Sequence, residues 1–386
     1  KSTAGAGLNV GERGTVTICE PMSWGPVAQV MEIEAGADMT PYTGYGITAP
    51  QNRFLNEIFK GTNRTAAPSK VLLYRPSASG SAQATIKSGA LTATAKYPGV
   101  RGNDISIVVT ELTEPEDTFT VSTVVGGEIV DQQTAKTADT LAGNGWVTFS
   151  GTGALTATTG AALTGGLDGT VQSAAYSAYL SAIEPYAFDV MIYDGAESTV
   201  QSAMMAFIRR IADEAGVYSQ LVASGLSNPD SRFVVNVGSG VTLADGTELT
   251  AAQATWWAGG ALAGAKYNES LTYASYPGAV KASPLLTSSG YDGVVKVEQD
   301  INSLVTFTED IGEVFRKNRV MRLCNTIAND IYRQFSANYI GVVNNNEAGR
   351  AQFKAAIVGY LLDIQANNGI QKFDAEDVEV LAGESM

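Results

Sequence analysis

The sequence predicts an α/β core with an inserted all-β domain and a C-terminal α+β domain. In the two core parts, residues 1–83 and 169–282, apolar strand-like runs alternate with amphipathic helix-like runs, as in sheets covered by helices. Residues 84–168 are instead rich in Thr, Gly, Ala and Val and show short runs of alternating polarity. Residues 283–386 combine strand-like runs with two long helical patterns.

The first core part contains two predicted strands, a short helix and a third strand. Residues 14–33 predict a strand, a loop rich in Pro and Gly, and a second strand. Residues 51–60 predict an amphipathic helix that Gly61 ends. Residues 70–76 predict a buried strand, since four of the first five are apolar and a proline follows.

The inserted part is predicted to be antiparallel. Its runs SIVVTEL, FTVSTVV and GWVTFSG alternate in polarity, and glycine pairs that favour turns separate them. The turn signals are Gly126-Gly127, Gly143-Asn144-Gly145 and Gly165-Gly166. Before the first run, YPGVRGND predicts a compact turn, with positive φ favoured at Pro98-Gly99 and at Gly102-Asn103.

The second core part returns to alternation. A helix is predicted to start at Thr170 as N-cap, followed by a buried strand over 188–194 and a long helix that ends at Gly216. Two further strands, VYSQLVAS and RFVVNVG, precede the helix TAAQATWWAGGALAGAKYN, whose small residues allow close packing. Helices between apolar strands favour a largely parallel sheet.

The C-terminal part is predicted to be mixed. VVKV and SLVTFTE read as strands of a hairpin that turns at residues 299–302. Helices are predicted from about residue 310 to 335 and from about 347 to 364, and FDAEDVEVLAG predicts a final strand.

Composition excludes several classes of function. The chain has 386 residues, no histidine and a net charge of −14. Ser-His-Asp and Cys-His triads, His-ligated metals and a His general base are therefore impossible. An acidic surface repels nucleic acid and anionic membranes, so we expect neither as a partner.

The two cysteines, Cys19 and Cys324, lie far apart and form no C-x-x-C motif, so we expect buried thiols rather than a metal site or a disulfide. No signal peptide is recognisable, and no run of 18 apolar residues predicts a transmembrane helix.

The sequence contains no complete cofactor-binding motif. Gly238-Ser239-Gly240 follows a strand, but Leu243 replaces the third glycine of a dinucleotide loop, and no P-loop occurs. Asp194 stands at the end of a predicted strand, where a helix-entry turn explains it better than catalysis. We therefore predict no cofactor, no metal and no catalytic residue.

A basic segment stands out in this acidic chain. Arg316, Lys317, Arg319, Arg322 and Arg333 fall on one predicted helix, FRKNRVMRLCNTIANDIYRQF. Positions 315, 318, 319, 322 and 326 share one stripe of it, and the apolar positions 320, 323, 327 and 331 share another. The stripe is either a solvated face or a surface that docks on an acidic protein partner.

Three segments resemble contractile tail sheath proteins of phages, prophages and phage-like particles of Gram-positive bacteria. They are GERGTVTICEPMSWGP near the start, AKYPGVRGNDISIVV in the middle and VFRKNRVMRLCNTIANDIYRQF near the end. None is as specific as a Walker motif, but the three occur in the family's order. We call them the first, second and third signature segments.

The resemblance implies a structural role without catalysis or cofactors. It implies self-association in hexameric rings stacked as a helical sheath around a tail tube protein, with baseplate and tail terminator proteins at the ends. It implies contraction that drives the tube through a bacterial envelope, and a location in a virion tail or phage-like particle assembled in the host cytoplasm. The family's C-terminal domain faces the tube, so the candidate tube contacts are Arg316, Lys317, Arg319 and Arg322.

Family members usually have a lacing arm before the position of Lys1 and further residues after Met386, and the sequence is expected to lack both. Two other functions fit the residues less well. One is a surface-layer or adhesin module, which the β insertion and the glycine content suit. The other is a histidine-free α/β enzyme that uses Asp189, Asp194 and Asp230.

Overall fold

The computed structural model describes residues 8–283 and 293–383. By its internal contacts the chain divides into two compact units. Unit 1 comprises Lys1–Thr17, Glu57–Val71 and Ala187–Met386, and unit 2 comprises Ile18–Asn56 and Leu72–Tyr186.

The described residues combine strands and helices, with a continuous run of strands from β3 to β12. Strands β1 to β18 are Thr15–Cys19, Val30–Glu34, Lys70–Tyr74, Ala78–Ser79, Thr85–Ser88, Leu91–Ala95, Ile105–Glu111, Phe119–Val125, Glu128–Ala135, Val147–Ser150, Thr158–Ala162, Thr170–Val171, Val190–Ile192, Gln220–Ser224, Val234–Val237, Gly240–Leu243, Glu248–Leu249 and Ala279–Ser283. Helices α1 to α7 are Thr40–Thr43, Arg53–Ile58, Ser173–Ile183, Ser198–Ala215, Ala251–Gly264, Asn318–Asn338 and Glu347–Ala366. The mixed α/β class is therefore confirmed.

Unit 1 is built on a parallel sheet. Strand β14 pairs in parallel with β13 and with β15, and the apolar residues of β13 and β14 are buried. Helix α4 connects β13 to β14 and ends at Gly216, whose φ of +65° is the left-handed cap that the sequence predicts. A second sheet, β17-β16-β18, is antiparallel.

Helix α5 approaches its neighbours in unit 1 closely because it presents glycines. A methyl group on Gly260 would lie 2.0 Å from the carbonyl oxygen of Ile58, and one on Gly259 would lie 2.4 Å from the side chain of Ile192. The close packing predicted from the small residues of this helix is confirmed.

Unit 2 contains two antiparallel sheets with a common apolar core. The sheets have strand orders β10-β6-β5 and β11-β7-β8-β9. Alternate residues of β6 and β7 are buried, including Leu91, Ala93, Ile105 and Ile107, which belong to one hydrophobic cluster. The polarity alternation that predicted antiparallel strands is the alternation between core and solvent.

The helix predicted to begin at Thr170 begins later, because a short strand precedes it. Thr170 does not cap a helix, because Thr170 and Val171 pair with Ser79 and Ala78 as a short strand. Helix α3 begins after them, with Gln172 at its N-cap position.

The C-terminal part departs most from prediction. The described residues between 293 and 383 contain helices α6 and α7 but no extended strand, and residues 295, 296, 301 and 317 form only isolated bridges. The predicted strands over SLVTFTE and the final tail are therefore wrong. Helix α7 is confirmed, but α6 starts at Asn318, because Glu313–Arg316 is a separate 3-10 turn.

The SLVTFTE segment touches strand β15 only at its start, where the N–H of Ser303 donates to the carbonyl oxygen of Val234 at 2.8 Å, and a side chain holds the residues that follow. The Asp230 carboxylate accepts hydrogen bonds from the backbone N–H groups of Val305 and Thr306, at 2.8 and 3.0 Å. Hydrogen bonds from the side chain of Thr306 and from these two amides hold the pKa of Asp230 below its usual value. Because the carboxylate takes amides that a strand would pair, the segment stays an irregular loop.

We expect opposite effects of alanine at two helical glycines. Gly260→Ala should lower the free energy of unfolding by about 1–3 kcal/mol, because the added methyl group meets the backbone of Ile58. Gly359→Ala in α7 is the control: nothing lies within 4 Å of its new methyl group. It should stabilise by about 0.5–1 kcal/mol through helix propensity. Urea unfolding measures both, and equal effects would contradict the packing of α5.

Candidate functional site

The first and second signature segments meet in unit 2 at a buried arginine. Arg75 is 3% exposed, and its guanidinium donates to the carbonyl oxygens of Gly25 and Pro98, both at 2.8 Å. Burial lowers the pKa of Arg75 to about 10, against the opposing charge of Asp168. One side chain thus ties Gly25 of the first segment to Pro98 of the second, which lies more than 70 residues later in the chain.

The turn in the second signature segment requires glycine twice. Gly99 has a φ of +130°, as expected for Pro98-Gly99, and a methyl group on it would lie 2.1 Å from the carbonyl oxygen of Ser23. The positive φ predicted at Gly102-Asn103 is wrong. Gly102 is needed for space, because a methyl group there would lie 2.9 Å from that of Ala95.

Arg101 of the same segment stacks on aromatic rings rather than facing a ligand. Its guanidinium lies 4.2 Å from the ring centroid of Tyr45, and its Nε donates to the carbonyl oxygen of Gly44 at 2.9 Å. Beside it, Trp24 of the first signature segment packs on Trp146, with ring centroids 5.0 Å apart. These contacts make the segment a fold signature, with no cradle for phosphate.

The third signature segment forms helix α6 in unit 1, and its polar stripe points inward. Asn318, Arg322, Thr326 and Asp330 follow one another at intervals of four residues, and all four are buried. Arg322 is fully buried: its Nη2 donates to the Asp300 carboxylate at 2.7 Å and to the carbonyl oxygen of Glu269 at 2.6 Å. In this conformation Arg322 faces the interior of the subunit.

The other three candidate tube contacts differ in how far their side chains are exposed to solvent. Arg319 is half-buried and donates to the carbonyl oxygens of Asn268 and Asn368 at 3.0 and 2.9 Å. Arg316 and Lys317 precede helix α6, so the prediction that they lie on this helix is wrong. Arg316 is half-buried and Lys317 is exposed. Both border a cavity of about 340 Å³ that Arg319 and Glu313 also line.

A buried carboxylate on α6 escaped the sequence analysis. Asp330 accepts hydrogen bonds from the backbone N–H of Gly11 at 2.9 Å and from the Tyr360 hydroxyl at 2.8 Å, and it pairs with Arg333. Burial, with the charge of Asp330, raises the pKa of Tyr360. The four-residue spacing of polar residues was the available signal, but it was assigned to the exposed face.

The three aspartates of the enzyme alternative have separate structural partners. Asp189 accepts from the backbone N–H groups of Gly14 and Thr15 and pairs with Arg13 at 3.0 Å. Asp194 accepts from the indole N–H of Trp256 at 2.8 Å, and Asp230 holds the loop described above. Within the described ranges, no three acidic or cysteine side chains are grouped to hold a metal ion.

Comparison with known families accounts for most of the chain. Residues 78–168 match the phage tail sheath protein beta-sandwich domain, residues 169–290 the phage tail sheath protein central domain, and residues 310–385 the phage tail sheath C-terminal domain. The chain belongs to the phage tail sheath protein family.

Relatives of this sheath protein extend over its whole length. It is 34% identical to the phage-like element PBSX protein XkdK of Bacillus subtilis, over 100% of this chain and 90% of that protein. It is 35% identical to the B. subtilis protein YqbK, over 98% of this chain and 88% of the relative.

Solved sheath structures have the same fold. A sheath tail protein of Desulfitobacterium hafniense is 41% identical, with a TM-score of 0.88 over 95% of this chain and 89% of its own. That of Listeria innocua is 29% identical, with a TM-score of 0.81 over 95% and 88%. The chain is thus a structural sheath subunit and not an enzyme. No helix of the described ranges is long and apolar enough to span a membrane.

We expect the buried ion pair between Arg322 of α6 and Asp300 to contribute far more to the free energy of unfolding than a half-exposed ion pair does. Asp300→Asn should lower the free energy of unfolding by about 3–5 kcal/mol, because it leaves the buried Arg322 charge without its counter-ion. The control is Asp104→Asn, which removes a half-exposed pair with Arg101 and should cost at most about 1 kcal/mol. Denaturant titration measures the free energy of unfolding of both variants. Similar losses in the two would mean that Arg322 is solvated.

Proposed function

We propose that this chain polymerises around a tail tube and contracts to drive that tube through a bacterial cell envelope. The observation that carries the proposal is the likeness to solved sheath tail proteins over nearly the entire chain. A sheath needs rigid parts joined by contacts that can be exchanged between two arrangements. Small differences at many interfaces sum to a large stored free energy, and no nucleotide site is required.

The proposed arrangement has four parts along the chain. Residues 1–83 and 169–282 form an α/β core, 84–168 an inserted β domain, and 283–386 a C-terminal part that faces the tube. The inserted domain lies on the outer side of the sheath in this proposal, since an insertion is tolerated where it leaves core contacts undisturbed. The helices of the C-terminal part then supply the tube-facing surface.

The proposed tube contact centres on Lys317 and Arg316. Lys317 is exposed, and the two residues lie together just before helix α6. Arg319 and Arg322 support this surface from behind through their hydrogen bonds to backbone carbonyl groups. Long-range attraction between these cations and an acidic tube would weaken as salt is raised.

The remaining partners follow from the same proposal. Copies of the chain form six-membered rings stacked as a helical sheath, with a baseplate protein at one end and a tail terminator protein at the other. Assembly takes place in the bacterial cytoplasm and ends in a virion tail or a phage-like particle. The alternative of an adhesin module predicts no such regular polymer.

Electron microscopy of the protein expressed with its tail tube protein tests the proposal. We expect striated tubes of sheath diameter that shorten and widen on contraction, because the tube templates the rings. The protein alone is the control for template-free assembly. Failure to coat the tube across a range of salt and protein concentrations would contradict the proposed function.

Charge reversal tests the tube contact separately. Lys317→Glu should reduce coating of the tube by about tenfold at low salt, since charges at an interface rim act mainly on association. The matched control is Arg209→Glu on helix α4, also an exposed basic residue. Cosedimentation with preformed tubes measures coating, and equal losses in both variants would reject a specific role of Lys317.

A further inference from the structure

An extended segment of the chain lies along helix α6 in unit 1 and contacts it at regular intervals. Asn9 exchanges two hydrogen bonds with the side chain of Gln334, at 2.7 and 3.3 Å. The Gly11 N–H donates to Asp330 at 2.9 Å, and Arg13 donates to the Thr326 hydroxyl at 3.3 Å. Every second residue of the segment thus meets every fourth residue of the helix, in the opposite chain direction.

The two repeats match in length. Two residues of extended chain advance about 6.6 Å, and four residues of α-helix advance about 6 Å. Three successive contacts therefore stay in register without distortion. The intervening Val10 and Glu12 are exposed and make no contact in this series, whereas Leu8, beyond the last contact, is buried.

The inner end of the segment is fixed more firmly than the rest. Asp189 pairs with Arg13 and accepts the N–H groups of Gly14 and Thr15, at 2.8 and 3.1 Å. Gly14 has a φ of +115°, so the chain turns there into strand β1. Because glycine readily adopts this positive φ, Gly14 is the residue at which the segment ends and strand β1 begins.

Among the described residues, the outer end is held by the apolar side chain of Leu8. Leu8 is buried and belongs to a hydrophobic cluster with Ile357, Tyr360 and Ile364 of helix α7. Between Leu8 and the fixed inner end, the contacts to α6 are hydrogen bonds, of which those of Asn9 are exposed to solvent.

We propose that residues 8–13 form a detachable strap that docks on helices α6 and α7 and opens as a unit about Gly14. In the docked state the strap holds Leu8 in its cluster and supplies a hydrogen bond to the buried Asp330. Complete opening exposes Leu8, breaks the hydrogen bonds to α6 and, as its last step, breaks the ion pair between Arg13 and Asp189, while β1 and the parallel sheet remain folded. Segments of this kind open locally at lower free energy than the core.

The direction of opening follows from the burial of the three contacts. Gln334 is only half-buried, whereas Asp330 and Thr326 are buried. Once Leu8 leaves its cluster, the solvent-exposed contact of Asn9 is the first to exchange with water. A pull on the chain before Leu8 would therefore release the strap from its outer end inward.

Amide hydrogen exchange on the whole chain tests the strap. We expect the amides of Asn9 and Gly11, which donate to Gln334 and Asp330, to be protected but to exchange at least about tenfold faster than the central turns of α6, as a locally opening unit does. Gly11→Ala should remove most of the strap's protection, because the new methyl group would lie 2.4 Å from an Asp330 carboxylate oxygen. Gly312→Ala, with nothing within 4 Å, is the matched control.

A milder variant separates local opening of the strap from destabilisation of the whole subunit. Gln334→Ala removes both hydrogen bonds to Asn9 and should speed strap exchange by about fivefold to tenfold, with α6 unchanged. Ser336→Ala, whose hydroxyl bonds only within the helix, should change nothing.

Two results would overturn the proposal: strap and α6 amides that exchange at one rate in every variant, or strap amides that are unprotected in the unaltered chain. The measurement is made on the isolated subunit, so its outcome is independent of whether the sheath coats a tube.

Discussion

A helix that buries polar side chains needs hydrogen-bond partners from other parts of the chain, and helix α6 draws such partners from several distant segments of unit 1. Its buried residues Asn318, Arg322, Thr326 and Asp330 form one stripe. Their partners come from segments far away in sequence: a loop that contains Asp300, the strand β14, helix α7 and the strap. A buried polar group left without a partner costs about 1–3 kcal/mol, so the stripe selects the arrangement of all four.

In unit 2, too, a buried polar side chain takes its hydrogen-bond partners from distant segments. Arg75 binds backbone carbonyl groups of two distant turns, and glycines let those turns approach until a methyl group would clash. The three signature segments therefore have one thing in common: each supplies contacts within the subunit. This explains how a protein without histidine or a cofactor motif still has segments by which its family is recognised.

Much of the fold could be predicted from the sequence because its signals were local. Polarity alternation located the antiparallel strands of unit 2, and the glycine after helix α4 marked its end. The strand predicted over SLVTFTE failed because Asp230, more than 70 residues earlier, takes its amides. Nothing within that segment signals this partner.

The candidate site could be predicted only in part, for a related reason. The basic residues near 316–322 were recognised, but an inward-facing polar stripe has the same periodicity as an outward-facing one. Arg322 and Arg319 were assigned to a partner although the subunit itself uses their hydrogen bonds. Of the four candidate residues, Lys317 is exposed, Arg316 and Arg319 are half-buried, and Arg322 is buried.

A cryo-electron microscopy reconstruction of the extended particle that contains this chain would test the account most directly. The account predicts a sheath of this subunit around a tube, with Arg322 still paired with Asp300 inside the subunit and Lys317 at the tube surface. A particle in which the chain is absent from the sheath, or in which Arg322 leaves Asp300 to contact the tube, would contradict it.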